Sequence, residues 1–144
     1  MKKTLTAIAI AIALCMTMAA QATTNEITTQ VYLQASKGNV QLSRAPGTVL
    51  VQMAGTRFHS YIQAVTTAWL PLSKGSVGSM GYSYLRNLNG SNTVYLSFDV
   101  GANTNLSLKA GEVTLLRLYA AGQITNIHAR AAIASDLEVT ILED

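Results

Sequence analysis

The amino-acid sequence predicts an all-β protein: a single antiparallel β-sandwich, jelly-roll-like, of about 8–11 short strands. Two observations carry this expectation. From Glu26 onward apolar and polar residues alternate with period two in short runs, and Gly, Asn, Ser or Asp interrupt the runs at the spacing usual for sandwiches and barrels. No stretch carries a convincing amphipathic helical pattern.

The first 22 residues lie outside this pattern. Met1-Lys2-Lys3 is a short positive region, Leu5 to Met18 an apolar stretch interrupted only by Thr6 and Thr17, and Ala20-Gln21-Ala22 a small-x-small cleavage site. These are the parts of a Sec-type signal peptide in their proper order. The apolar stretch is short for a bilayer, which needs about 20 residues, so an uncleaved anchor is the lesser reading. Leu14 before Cys15 does not fit a lipoprotein site. The expectation is a leader at 1–22 and a sandwich domain at 23–144, exported to the periplasm, cell surface or medium, with no stable membrane insertion after cleavage.

The leader also explains most of the composition. The 144-residue chain has a net charge of +3 and one Cys, but without residues 1–22 there remain 122 residues with 8 Lys or Arg against 7 Asp or Glu, and no thiol. The mature net charge is +1. Disulfides, thiolate catalysis and Cys-bound metal are thereby excluded. Abundant Val, Ile and Leu with few charges exclude disorder, and the length suits one hydrophobic core.

The strands follow in order. Ile27, Thr29, Val31 and Leu33 alternate with Thr28, Gln30 and Gln34; Val40 and Leu42 alternate with Gln41 and Ser43; Val49, Val51 and Met53 follow the turn signal Pro46-Gly47. Next come Arg57 to Val65 and Trp69 to Leu72, where Pro71 suits an edge because it cannot donate to a ladder. Tyr82 to Leu88 and Thr93 to Val100 flank Asn89-Gly90-Ser91-Asn92, which reads as a hairpin loop because Asn and Gly accept positive φ cheaply. Leu106 to Lys109 and Val113 to Tyr119 flank Lys109-Ala110-Gly111-Glu112 in the same way. Ala121-Gly122-Gln123 precedes Ile124 to Ala129, and Leu137 to Leu142 is the last run.

No constellation for chemistry emerges. His59 and His128 are far apart in sequence, outside any HExxH or HxH spacing, and read as ordinary strand residues. GSVGSMG at Gly75 to Gly81 is neither a GxSxG elbow nor a GxGxxG loop, and reads as a flexible connection. The carboxylates are scattered without a pair of the kind glycoside hydrolysis requires, and Glu143-Asp144 reads as a solvated terminus. Basic residues fall about one per strand without clustering, which argues against nucleic acid as a partner. No catalytic residue, cofactor or metal is expected. Tyr82, Tyr84 and Tyr95, with Phe98, gather around the expected hairpin: cross-strand packing explains them most economically, and a surface glycan is the ligand they would suit otherwise.

Several motifs resemble a known group. Gly81 to Val94 (GYSYLRNLNGSNTV), Leu108-Lys109-Ala110-Gly111-Glu112-Val113, Leu115-Leu116-Arg117-Leu118 and Ile141-Leu142-Glu143-Asp144, with Gly38-Asn39 and Ser43-Arg44 earlier, resemble small virion structural proteins of tailed bacteriophages, encoded in late gene clusters. The similarity covers about residues 26–144. It implies a non-enzymatic, β-rich structural role and a place in the virion if the chain is phage-encoded. This sequence departs from that group in carrying a signal peptide, which leaves an exported periplasmic or cell-surface binding or adhesion module as the alternative. Under either reading the expected partner is a second copy of the chain or another structural protein, because few charges guard the strand edges.

Overall fold

A computed structural model describes residues 27–37, 39–45, 47–51, 55–118 and 126–143. The expected leader, its cleavage site and the Ala121-Gly122-Gln123 turn lie outside the described residues. Those residues form twelve strands: β1 (Ile27–Gln30), β2 (Leu33–Lys37), β3 (Val40–Arg44), β4 (Thr48–Val51), β5 (Phe58–Val65), β6 (Leu70–Pro71), β7 (Met80–Asn87), β8 (Val94–Ser97), β9 (Leu106–Leu108), β10 (Val113–Arg117), β11 (His128–Ala131) and β12 (Ser135–Glu143). The chain divides into two compact units, residues 1–52 and 53–144.

The first unit contains two nested antiparallel ladders. β1 pairs with β4 from Ile27↔Val51 to Gln30↔Thr48, and β2 pairs with β3 from Leu33↔Arg44 to Lys37↔Val40. Val31 and Tyr32 lie between the two ladders and belong to neither. The single run expected from Ile27 is therefore interrupted at Val31 and Tyr32.

The second unit is a β-sandwich, the architecture expected of the sequence, formed by β5 to β12, whereas β1 to β4, also within the expected 23–144 domain, pair among themselves. Its sheets have the orders β10-β7-β12-β5 and β6-β11-β8-β9, with every pairing antiparallel. The pairs β5 with β12, β6 with β11, β7 with β10 and β8 with β9 are nested, so the eight strands form one long hairpin. The pairings β7 with β12 and β8 with β11 roll that hairpin into two sheets, which is the jelly-roll topology. Alternation fills the space between them: Leu85, Leu137, Val139 and Ile141 from the first sheet meet Val94, Leu96, Leu108, Ala129 and Ala131 from the second in one buried cluster. β6 lies at a sheet edge, as Pro71 requires. β11 begins later than the Ile124 to Ala129 run suggests, and Ile127 instead accepts a backbone bond from Leu72 N at 2.8 Å while its side chain is fully buried.

Two connections differ from expectation. Asn89 to Asn92 joins β7 in one sheet to β8 in the other, and Lys109 to Glu112 joins β9 to β10 across the same gap. Neither is a hairpin. Gly90 does not adopt a positive φ, and the first connection is closed by the Asn89 side chain, whose Oδ1 accepts from Ser91 N and Asn92 N, both at 2.9 Å. Turn residues announce a change of direction but not the sheet the next strand joins. That choice falls to the inward-facing Val94 and Leu96, which close the core from the opposite side.

A buried side chain pins these two connections together. Asn87 is fully buried; its Nδ2 donates to the carbonyls of Asn92 (2.7 Å), Leu108 (3.0 Å) and Lys109 (3.0 Å), and its Oδ1 accepts from Asn89 N (3.0 Å). Beyond the other end of the cluster, Glu143 is not a solvated terminal residue. Its carboxylate accepts from Thr56 N (3.2 Å) and Gly78 N (2.9 Å), with Arg57 nearby, and the Gly78 bond is the main reason its pKa is lowered. It thereby fastens the glycine-rich segment after β6. Val77 is buried, so this segment is packed into the core rather than loose.

Candidate ligand-binding face

The outward side of the second sheet carries the most developed arrangement of functional groups. Tyr95 on β8 and Arg130 on β11 are direct cross-strand partners, and Trp69 immediately precedes Leu70, the partner of Ala129. Period two turns Val94, Leu96, Ala129 and Ala131 inward, so Tyr95, Arg130 and Trp69 form a row across the outside. The Arg130 guanidinium carbon lies 4.8 Å from the Trp69 ring centroid and 5.7 Å from that of Tyr95. Both are cation-π distances. No carboxylate pairs with Arg130 among the described residues. Beside it opens a cleft of about 350 Å³ lined by Thr67, Tyr95, Arg130, Ala131 and Ala132.

The row is held in place by the loop between β8 and β9. Ser97 Oγ donates to Asp99 Oδ1 at 2.5 Å and accepts from Gly101 N at 2.9 Å; Asp99 also accepts from Asn103 N (3.0 Å) and Asn103 Nδ2 (2.7 Å). Asn105 Oδ1 accepts from Phe98 N at 2.7 Å. These donors, the Ser97 hydroxyl first, pull the Asp99 pKa down to about 2. Inside this frame Val100 has a φ of +61°, a conformation that β-branched residues rarely adopt. Gly101, at φ +83°, lies against the Trp69 ring so closely that a Cβ there would come within 2.6 Å of Cγ. Gly101 thus packs against the Trp69 ring, and the ring in turn faces the Arg130 guanidinium.

Ser97, Asp99 and His128 also meet here, since His128 is the cross-strand partner of Ser97. They do not form a nucleophile relay. A relay needs the imidazole between hydroxyl and carboxylate, whereas Ser97 donates directly to Asp99, is fully buried, and leaves His128 Nδ1 buried without a partner. His59 lies on β5 and stacks on Tyr61 at 4.6 Å.

The three tyrosines singled out in the sequence are not brought together. Tyr82 and Tyr84 point outward from β7 in the first sheet, where Tyr82 receives Arg117 at 5.5 Å and Tyr84 sits between Leu115 and Thr140 in register. Tyr95 is on the other sheet and faces the opposite way. Cross-strand packing between Tyr95 and Tyr82 or Tyr84 is therefore ruled out, because the connection taken for a hairpin crosses between sheets. Sequence reasoning missed Trp69 and Arg130, which are 61 positions apart and meet only through the β6–β11 pairing. A scan of protein-family models, of curated proteins and of solved structures finds no match to this chain.

Proposed function

We propose that this chain is a non-enzymatic structural protein, exported and assembling with further copies of itself or with another structural protein through the faces and edges of its sandwich. The observation that carries this reading is the outer face of the first sheet. Phe58 (68% exposed) and Ile62 (62%) on β5, with Val113 (54%) and Leu115 (39%) on β10, flank Tyr82 and Tyr84 on a four-stranded surface. Ser60, Thr140 and the Arg86–Glu138 pair lie between these apolar groups on the same face, and such exposed apolar side chains, bordered by polar ones, mark an interaction site. β5 and β10 are also the end strands of that sheet among the described residues, and a mature net charge of +1 gives little repulsion between copies. The resemblance to phage virion proteins supports the same role.

The test is the mass in solution of the chain lacking residues 1–22, by size-exclusion chromatography with light scattering at tens of micromolar. Oligomers are expected, and Ile62→Glu, an exposed change that leaves the core untouched, is expected to shift them toward monomer. A monomeric parent chain, or an Ile62→Glu variant that assembles unchanged, refutes the reading. Export is tested separately by the intact mass after expression with the leader, which is expected to correspond to cleavage after Ala22.

A further inference from the structure

We infer that the outer face of the second sheet binds a carboxylate-bearing sugar, with Arg130 holding the carboxylate and the cleft beside it holding the ring. This stands apart from the assembly reading, which rests on the other sheet. A guanidinium is a planar fork whose parallel N–H groups match the two oxygens of a carboxylate. On most protein surfaces such a fork is mobile or already paired. Here two rings hold it in place, Trp69 at 4.8 Å and Tyr95 at 5.7 Å, and no carboxylate among the described residues occupies it. Less freedom is therefore lost when a ligand arrives.

The rest of the cleft suits a sugar better than a bare anion. The Thr67 and Tyr95 hydroxyls both donate and accept, which matches a polyol, and the exposed Ala132 adds a small apolar contact for ring C–H groups, while the Ala131 side chain is turned into the core. At about 350 Å³ the space lies at the lower end of the usual range for ligand sites, enough for one monosaccharide unit. Trp69 is not a stacking platform for that unit. Arg130 stands over its ring and the Gly101 backbone lies against it, so the indole serves to position the arginine.

The experiment follows the amide signals of Ala131 and Ala132 by NMR while the chain lacking residues 1–22 is titrated with methyl β-glucuronide, methyl α-N-acetylneuraminide, methyl β-glucoside and sodium acetate. Saturable shifts are expected with at least one acidic sugar, with glucoside and acetate each binding about tenfold more weakly or worse. Arg130→Gln is expected to lose about ten- to a hundredfold in affinity while keeping a dispersed spectrum, and Arg130→Lys to recover little of it, because an ammonium is not a fork. The inference is overturned if neither acidic sugar shifts these amides, if glucoside binds as well as the acidic sugars, if acetate does so, or if Arg130→Gln binds like the parent. The parent's fluorescence is an independent readout, since Trp69 is the chain's single tryptophan.

Discussion

Replacing Asn87 with Ala is expected to be among the most damaging single changes in the sandwich, although the residue lies on no binding face. Its side chain is fully buried: the two Nδ2 hydrogens are shared among the carbonyls of Asn92, Leu108 and Lys109, and Oδ1 accepts from Asn89 N. Truncation removes the side-chain donor to the Leu108 carbonyl, a buried bond, at about 1–3 kcal/mol. The other three groups are partly buried and regain water, so each loses about 0.5–1 kcal/mol. The total is about 2.5–6 kcal/mol, a large share of a typical domain's stability. Urea unfolding followed by circular dichroism measures it, with the midpoint falling and the slope unchanged. Asn87→Asp separates the roles of the two ends of the amide. It keeps the acceptor for Asn89 N but directs an oxygen at three carbonyls, so it is expected to be at least as destabilising as Ala. A loss below about 1 kcal/mol for Ala, or an Asp variant as stable as the parent, would refute the assignment of Asn87 as the pin between the two inter-sheet connections.

Three further outcomes test the loop that positions Trp69. The Asp99 carboxylate is expected to titrate near 2 by NMR rather than near the usual ~3.9, so its hydrogen bonds stabilise the fold fully above about pH 4 and are lost as pH falls toward 2; an ordinary value would contradict the network around Ser97 and Asn103. Val100→Gly is expected to raise stability by about 0.5–1 kcal/mol, relief of roughly 1–2 kcal/mol of left-handed strain being partly offset by the extra freedom of unfolded glycine. Gly101→Ala is expected to cost about 1–2 kcal/mol and to change the Trp69 fluorescence, because the new methyl would meet the indole at 2.6 Å. An unchanged emission spectrum in that variant would mean that Gly101 does not set the indole position.

Much of the sandwich is legible in the residues themselves. Alternation places Leu137, Val139 and Ile141 on one side of β12, and those are the side chains found fully buried. Pro71 marks an edge strand, and the edge is where β6 lies. Other features are not legible in the sequence. Asn87 falls within the expected Tyr82 to Leu88 run, and only the approach of three carbonyls from two connections makes it a structural pin. Glu143 looks like the end of a chain until Thr56 N and Gly78 N are seen to bond to it.

The sequence by itself determined the strand class and the inward and outward faces, because each follows from the identity and spacing of neighbouring residues. The tertiary structure alone decided which sheet each strand joins. A period-two run reports which residues are buried but not which partner buries them, and a turn such as Asn89 to Asn92 serves a hairpin or a crossing between sheets equally well. That choice separates Tyr95 from Tyr82 and Tyr84 and sets it beside Arg130 and Trp69, and with it moves the candidate binding face from one side of the sandwich to the other.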